Sequence, residues 1–222
     1  MTRIKMATHS LVAAACCLAV GSASAAPVMW TDWTSIGSTT ASGTMGSVNV
    51  SISSSVAMNG VSETGTGTNY WTEPNPLDRP YTGGSISNAP TAAEQVGLNS
   101  ANTVTVTFSS PVSSLYMALL SVGQSGLAVT YNFGSNPFSI DSEGQGFFGN
   151  DTTDGVIAGN ALTMREFHGV LSFSGPVSSL TFTTNPSENW HAFTFGTVPE
   201  PGSLALVALG LFGLGFSKRK KA

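Results

Sequence analysis

Apolar and polar positions alternate through the middle of the chain. Val48, Val50 and Ile52 interleave with Asn49, Ser51 and Ser53, and Thr103–Phe108 repeats the pattern with β-branched residues. Leu127–Phe133, Leu171–Phe173, Leu180–Thr183 and His191–Phe195 alternate in the same way. A period of two sends one set of side chains into a core and the other into water, the mark of a half-buried strand. Leu115–Leu120 is apolar almost without interruption and predicts a central strand. No window of helical length joins a 3.6-residue period to caps, and the best helical candidate, Thr91–Val96, amounts to a turn or two. Short strands punctuated by Gly, Pro and Asn predict an all-β protein, an antiparallel β-sandwich or barrel.

One octet occurs twice. Phe108-Ser109-Ser110-Pro111-Val112-Ser113-Ser114-Leu115 returns as Phe173-Ser174-Gly175-Pro176-Val177-Ser178-Ser179-Leu180, with seven of eight positions identical. The offset of 65 residues is too long for an ordinary solenoid repeat. Each copy reads as a strand ending at Phe, a turn through Ser-x-Pro and a new strand on Val and Leu. Proline cannot donate to a ladder, so it belongs at the strand end. Two such units facing each other in two sheets is the expected arrangement. Residues 31–100 are less regular: 35–46 and 62–69 are rich in Ser, Thr and Gly, and 74–80 is a Pro-containing loop. They read as strands joined by long surface loops, with a disordered stretch expected around 60–68.

The alternation fails at both ends. Residues 1–25 carry Arg3 and Lys5, an apolar run from Leu11 to Val20, and small residues at Ala23 and Ala25. That order is a secretory signal peptide, with cleavage expected after Ala25 and the Sec translocon as the implied partner. Cys16 and Cys17, the chain's two cysteines, fall inside it, so the mature protein is expected to have no disulfide, thiolate nucleophile or Cys-based metal site. At the other end, residues 198–222 begin with Val198, Pro199, Glu200 and Pro201. From 203 to 216 every residue is apolar, Gly or Ser, and Lys218, Arg219, Lys220 and Lys221 follow. As a helix, 201–217 would span about 25 Å, short but sufficient for a transmembrane segment. The four cations would remain on the cytoplasmic side as a stop-transfer signal.

A Pro-Glu-Pro motif, a short Leu/Gly/Ala helix and a terminal basic cluster together resemble the PEP-CTERM sorting signal of exported proteins in exopolysaccharide-producing Gram-negative bacteria. The resemblance covers about 25 residues and implies an exosortase-type membrane protease or transpeptidase as partner. It also implies transient anchoring by the C-terminal helix, then release to the cell surface or the extracellular space. The repeated octet is similar to strand pairs in jelly-roll domains of other such proteins and of carbohydrate-binding modules. A jelly-roll-like sandwich over 26–197 is therefore the expected fold, and exopolysaccharide an expected partner.

Charge sharpens the picture of the body. Only 9% of the chain is charged, against a typical ~25%. The formal net charge of −4 resolves into +2 for residues 1–26, −9 for 27–198 and +3 for 199–222. Residues 27–198 contain no Lys, have Arg79 and Arg165 as their cations, and have Ser or Thr at 49 of 172 positions. A surface wetted by hydroxyls and carrying net negative charge excludes nucleic acid as a partner.

Candidate chemistry is sparse. His168 and His191 sit in no metal-binding or catalytic motif, and Gly123-Gln124-Ser125-Gly126 lacks the spacing of a nucleophile elbow. The body therefore reads as non-enzymatic, with no catalytic residues assigned. The alternative is a secreted polysaccharide-acting hydrolase that uses a triad or a carboxylate pair assembled across loops. No cofactor is expected. A structural Ca²⁺ held by Asn150, Asp151 and Asp154 in a Gly-flanked loop is a candidate, although the same residues mark ordinary turns. Tyr70, Trp71 and Trp190 are the candidate glycan contacts, because amphipathic aromatics stack on sugar rings. Of Phe147 and Phe148, one is expected to enter the core and the other to face a loop or a second sheet.

Overall fold

A computed structural model describes residues 27–58, 61–149 and 155–199. The signal segment with Ala23 and Ala25, the tail from Glu200 onward with Pro201 and Lys218–Lys221, and the Ca²⁺ candidates Asn150, Asp151 and Asp154 lie outside them.

The described residues are all-β, with two antiparallel sheets packed as a sandwich. The six-stranded sheet contains β1 (Met29–Trp30), β5 (Val96–Leu98), β7 (Leu115–Val122), β9 (Phe138–Glu143), β12 (Phe167–Phe173) and β14 (His191–Thr197). The eight-stranded sheet contains β2 (Asp32–Ile36), β3 (Thr40–Met45), β4 (Val48–Ser54), β6 (Asn102–Val112), β8 (Val129–Asn132), β10 (Val156–Ala158), β11 (Ala161–Met164) and β13 (Val177–Asn185). Every alternating segment in the sequence lies wholly or partly in a strand.

Eight of these strands form a nested set. β5 pairs with β14, β6 with β13, β7 with β12 and β8 with β11. The resulting sheet orders, β5-β14-β7-β12 and β6-β13-β8-β11, are those of a long hairpin rolled into a jelly roll. The repeated octet now has a place. Its first copy carries the chain from β6 across to β7, and its second from β12 across to β13. The two crossings run side by side: Val112 pairs with Val177 and Leu115 with Phe173. The copies do not face each other in opposite sheets; each bridges both sheets. Phe108, Val112 and Leu115 fill the same core as Phe173, Val177 and Leu180.

Two insertions extend this frame. Residues 61–95, between β4 and β5, fold back over the outer face and edge of the six-stranded sheet. There Trp71, Tyr81 and Ile86 cover Ala118, Leu120, Val170 and Ala192, forming a second apolar cluster. Asn88 fastens this cover, exchanging two hydrogen bonds with the Val28 backbone (2.7 and 2.9 Å) and accepting the Trp30 indole N–H on its carbonyl (3.0 Å). Within it, 61–68 is placed rather than disordered: Glu63 bridges to Gln95, and Ser62 accepts the Gly97 N–H. Thr91–Glu94 forms a single turn. The second insertion lies between the paired strands β8 and β11 and contains β9, the 144–149 loop and β10.

Candidate functional site

Register places the features of interest at two ends of the six-stranded sheet. Thr197 of β14 pairs with Leu115, the first residue of β7, and Phe167 of β12 pairs with Val122 at the other end of β7. The Pro199 side of β14 therefore lies at one end. Trp190, the turn after β7, the loop after β9 and the start of β12 gather at the other.

Four aromatic rings meet at that second end. Tyr70 stacks on Phe148 (5.6 Å between centroids, 20° between planes), meets Phe147 edge-on at 5.1 Å and lies 5.4 Å from Trp190. Phe148 reaches Trp190 at 5.8 Å and Phe147 at 4.8 Å. Phe147 and Phe148 are each 47% exposed, and Tyr70 and Trp190 are half-buried. Neither phenylalanine enters the core, contrary to the expectation from sequence. Trp71, the third candidate platform residue, is 2% exposed and lies edge-on to Tyr81 beneath the cover, so it takes no part in the exposed cluster. Tyr70 and Trp71 are neighbours in the chain and face opposite ways. The signal for the missing rings was the Phe147-Phe148 pair between Gly146 and Gly149: two adjacent large apolar residues cannot both point inward from one short turn.

A buried polar network holds the loops beneath the rings. His168, fully buried, receives the Tyr81 hydroxyl on Nδ1 at 2.7 Å and the Ser121 backbone N–H at 3.3 Å. A backbone N–H can only donate, so Nδ1 is the unprotonated nitrogen and the ring proton sits on Nε2, 3.6 Å from Glu166 Oε1. Gly146 packs directly on this imidazole; a Cβ there would fall 2.2 Å from Nδ1. Gly144 donates its N–H to the His168 carbonyl at 3.1 Å. The loop that carries Phe147 and Phe148 thus rests on His168.

Trp190 is held from the other side. The Glu188 carboxylate accepts the Gly123 N–H at 3.0 Å and contacts His191 Nδ1, while the Asn189 amide donates to Gln124 at 2.9 Å. All three ring-bearing loops therefore tie to residues 121–124 or to groups bonded to them. The backbone there is strained: Ser121 (φ 53°) and Glu166 (φ 46°) both occupy the left-handed region, which disfavours non-glycine residues. Burial raises the Tyr81 hydroxyl pKa well above its ordinary value near 10, with smaller contributions from the Glu73 and Glu166 charges. Burial, then the Glu188 charge, does the same for Tyr131 in the main core.

The grouping of Ser121, Glu166 and His168 invites comparison with a catalytic triad. A triad needs the base to receive the nucleophile's hydroxyl proton. Here the Ser121 hydroxyl donates to Glu166, and His168 receives the Ser121 backbone N–H instead. Among the described residues no group of three or more His, Cys, Asp or Glu is arranged to hold a metal ion. No helix among them is long and apolar enough to cross a membrane.

At the opposite end, Val198 packs against the second apolar cluster and Pro199 is exposed. The surrounding groove is lined by Met29, Val48, Pro111, Tyr116 and Thr197, with serines between and no charged side chain. Residues 197–220 match the family model of the PEP-CTERM protein-sorting motif. The chain carries this motif, which implies export, handling by an exosortase-type system and membrane anchoring before surface localisation. No curated protein and no solved structure matches the chain.

Proposed function

We propose that this is a non-enzymatic surface or matrix protein, a β-sandwich delivered by its sorting signal and retained with exopolysaccharide through its exposed aromatic cluster. The cluster of Tyr70, Phe147, Phe148 and Trp190 is the observation that carries the reading. Half-exposed rings on a braced surface offer apolar faces to sugar C–H groups. Their position supports it as well. The cluster begins where β14 begins and the sorting motif begins where β14 ends, seven residues on. At ~3.3 Å per residue the two are about 23 Å apart, so a chain held at the membrane by its tail presents the rings outward. The commitment of the Ser121 hydroxyl to Glu166 favours binding over hydrolysis.

Co-sedimentation of the released protein with exopolysaccharide from the producing cells tests the reading. Retention that falls on Phe148→Ala is expected. Retention unchanged by that substitution, or sugar release by the wild type, would sink it. Mass spectrometry of released material should show loss of residues 1–25 and of the tail beyond the Pro-Glu-Pro region. Intact Lys218–Lys221 outside the cell would contradict the processing route.

A further inference from the structure

We infer that the aromatic cluster selects neutral polysaccharide, taking uncharged pyranose faces and rejecting chains rich in uronate or phosphate. The inference rests on the reading of the cluster as a glycan contact and names the class of glycan.

Charge around the rings carries the selection. An acid lies near the base of each ring-bearing loop. Glu73 lies three residues from Tyr70 and binds the Tyr81 and Thr82 amides at 2.8 and 2.7 Å. Asp78 accepts the Gln145 N–H at 2.8 Å, two residues from Phe147. Glu188 lies two residues before Trp190. The cations near these loops are Arg79, whose Nε donates to Thr82 Oγ1 at 2.8 Å while that hydroxyl donates to Glu73, and Arg165, whose backbone packs beside Gly123. A carboxylate or phosphate on the sugar wants a bidentate guanidinium or an amine in reach. Here Glu73, Asp78, Glu166 and Glu188 outnumber Arg79 and Arg165, in a body of formal charge −9, and no guanidinium pair or amine is gathered at the rings.

The uncharged partners suit hydroxyls. Asn189 and Gln124 present side-chain amides next to Trp190, and Ser125 is exposed beside them. The rings are also braced. Gly146 sits on the His168 ring, and Glu188 holds the Trp190 loop to Gly123. Little ordering is then needed on binding, which strengthens each contact along a polymer. A lipid surface fits less well, because these acids oppose approach to anionic headgroups.

The test is affinity electrophoresis of the protein released by producing cells. Gels would contain the neutral or the anionic fraction of those cells' exopolysaccharide, separated by anion exchange. Retardation by the neutral fraction is expected, weakened about tenfold by Phe148→Ala at unchanged melting temperature. Leu77→Ala, at an exposed apolar position outside the ring cluster, should leave retardation unchanged. Equal or stronger retardation by the anionic fraction overturns the selectivity and leaves the glycan reading standing. No retardation in either gel overturns both, as does flotation with phosphatidylcholine vesicles that Phe148→Ala abolishes.

Discussion

On the outer face of the eight-stranded sheet, Ser51, Thr107, Thr181 and Thr183 stand in water. On the outer face of the six-stranded sheet, Ala118, Leu120 and Val170 lie beneath Trp71, Tyr81 and Ile86. Burial follows suit. β3 alternates exposed and buried residue by residue, whereas β14 is buried at all seven positions. The first sheet ends at its own hydroxyls. The second continues into a cover that contributes Tyr70 to the exposed aromatic cluster. The difference matters because a cover can position side chains that a flat strand surface cannot.

Substitutions can break or sharpen that contrast. Trp71→Ala should cost the most, about 3–5 kcal/mol for an aromatic removed from a packed site. Denaturant unfolding measures the loss, and a cost below 1 kcal/mol would mean the cover is not packed as described. Gly146→Ala should follow, at about 1–3 kcal/mol for overpacking against His168. It should also move Phe147 and Phe148, and ring-proton chemical shifts would report that movement.

The alkaline limb comes next. Tyr81 and Tyr131 both have folded-state pKa values above the unfolded value near 10. Their contribution to stability is therefore complete below pH 10 and is lost as pH rises, because the unfolded chain releases protons that the folded chain keeps. Each can steepen the fall by up to ~1.4 kcal/mol per pH unit. Tyr81→Phe and Tyr131→Phe should each flatten the stability curve above pH 10; an unchanged slope in both would contradict their burial. The smallest effect belongs to the bare sheet. Thr107→Ala and Thr181→Ala should stay within about 0.5 kcal/mol, and a larger change would show that this face also has a cover.

The frame was legible in the sequence where side chains are large. Val104, Val106 and Phe108, or Leu180 and Phe182, announce strands because their alternation is strong. β3 was hidden because its inward positions are Ala41, Gly43 and Met45, two of them too small to stand out among Ser and Thr. β10 has no buried position at all, so no alternation could reveal it. The octet revealed a likeness, but its two crossings lie together only because β6 pairs with β13 and β7 with β12, which is non-local information. The site was half visible. Tyr70 and Trp190 were singled out by residue type, but Tyr70 and Trp71 look equivalent in a sequence. Only the fold of 61–95 turns one outward and the other under the cover. His168 gave no signal, since its partners Tyr81, Ser121 and Gly146 are scattered along the chain.

The placement of Trp190 and Pro199 at the two ends of β14 bears on tension. On the proposed reading, drag on a polymer held at the rings while the tail is anchored would pull along the length of this strand. β7 flanks it on one side, and β1 and β5 on the other. Force in that direction loads these hydrogen bonds together, in shear, instead of opening them one at a time. The strand that closes the sandwich is also the line along which the cell surface would hold its matrix against flow.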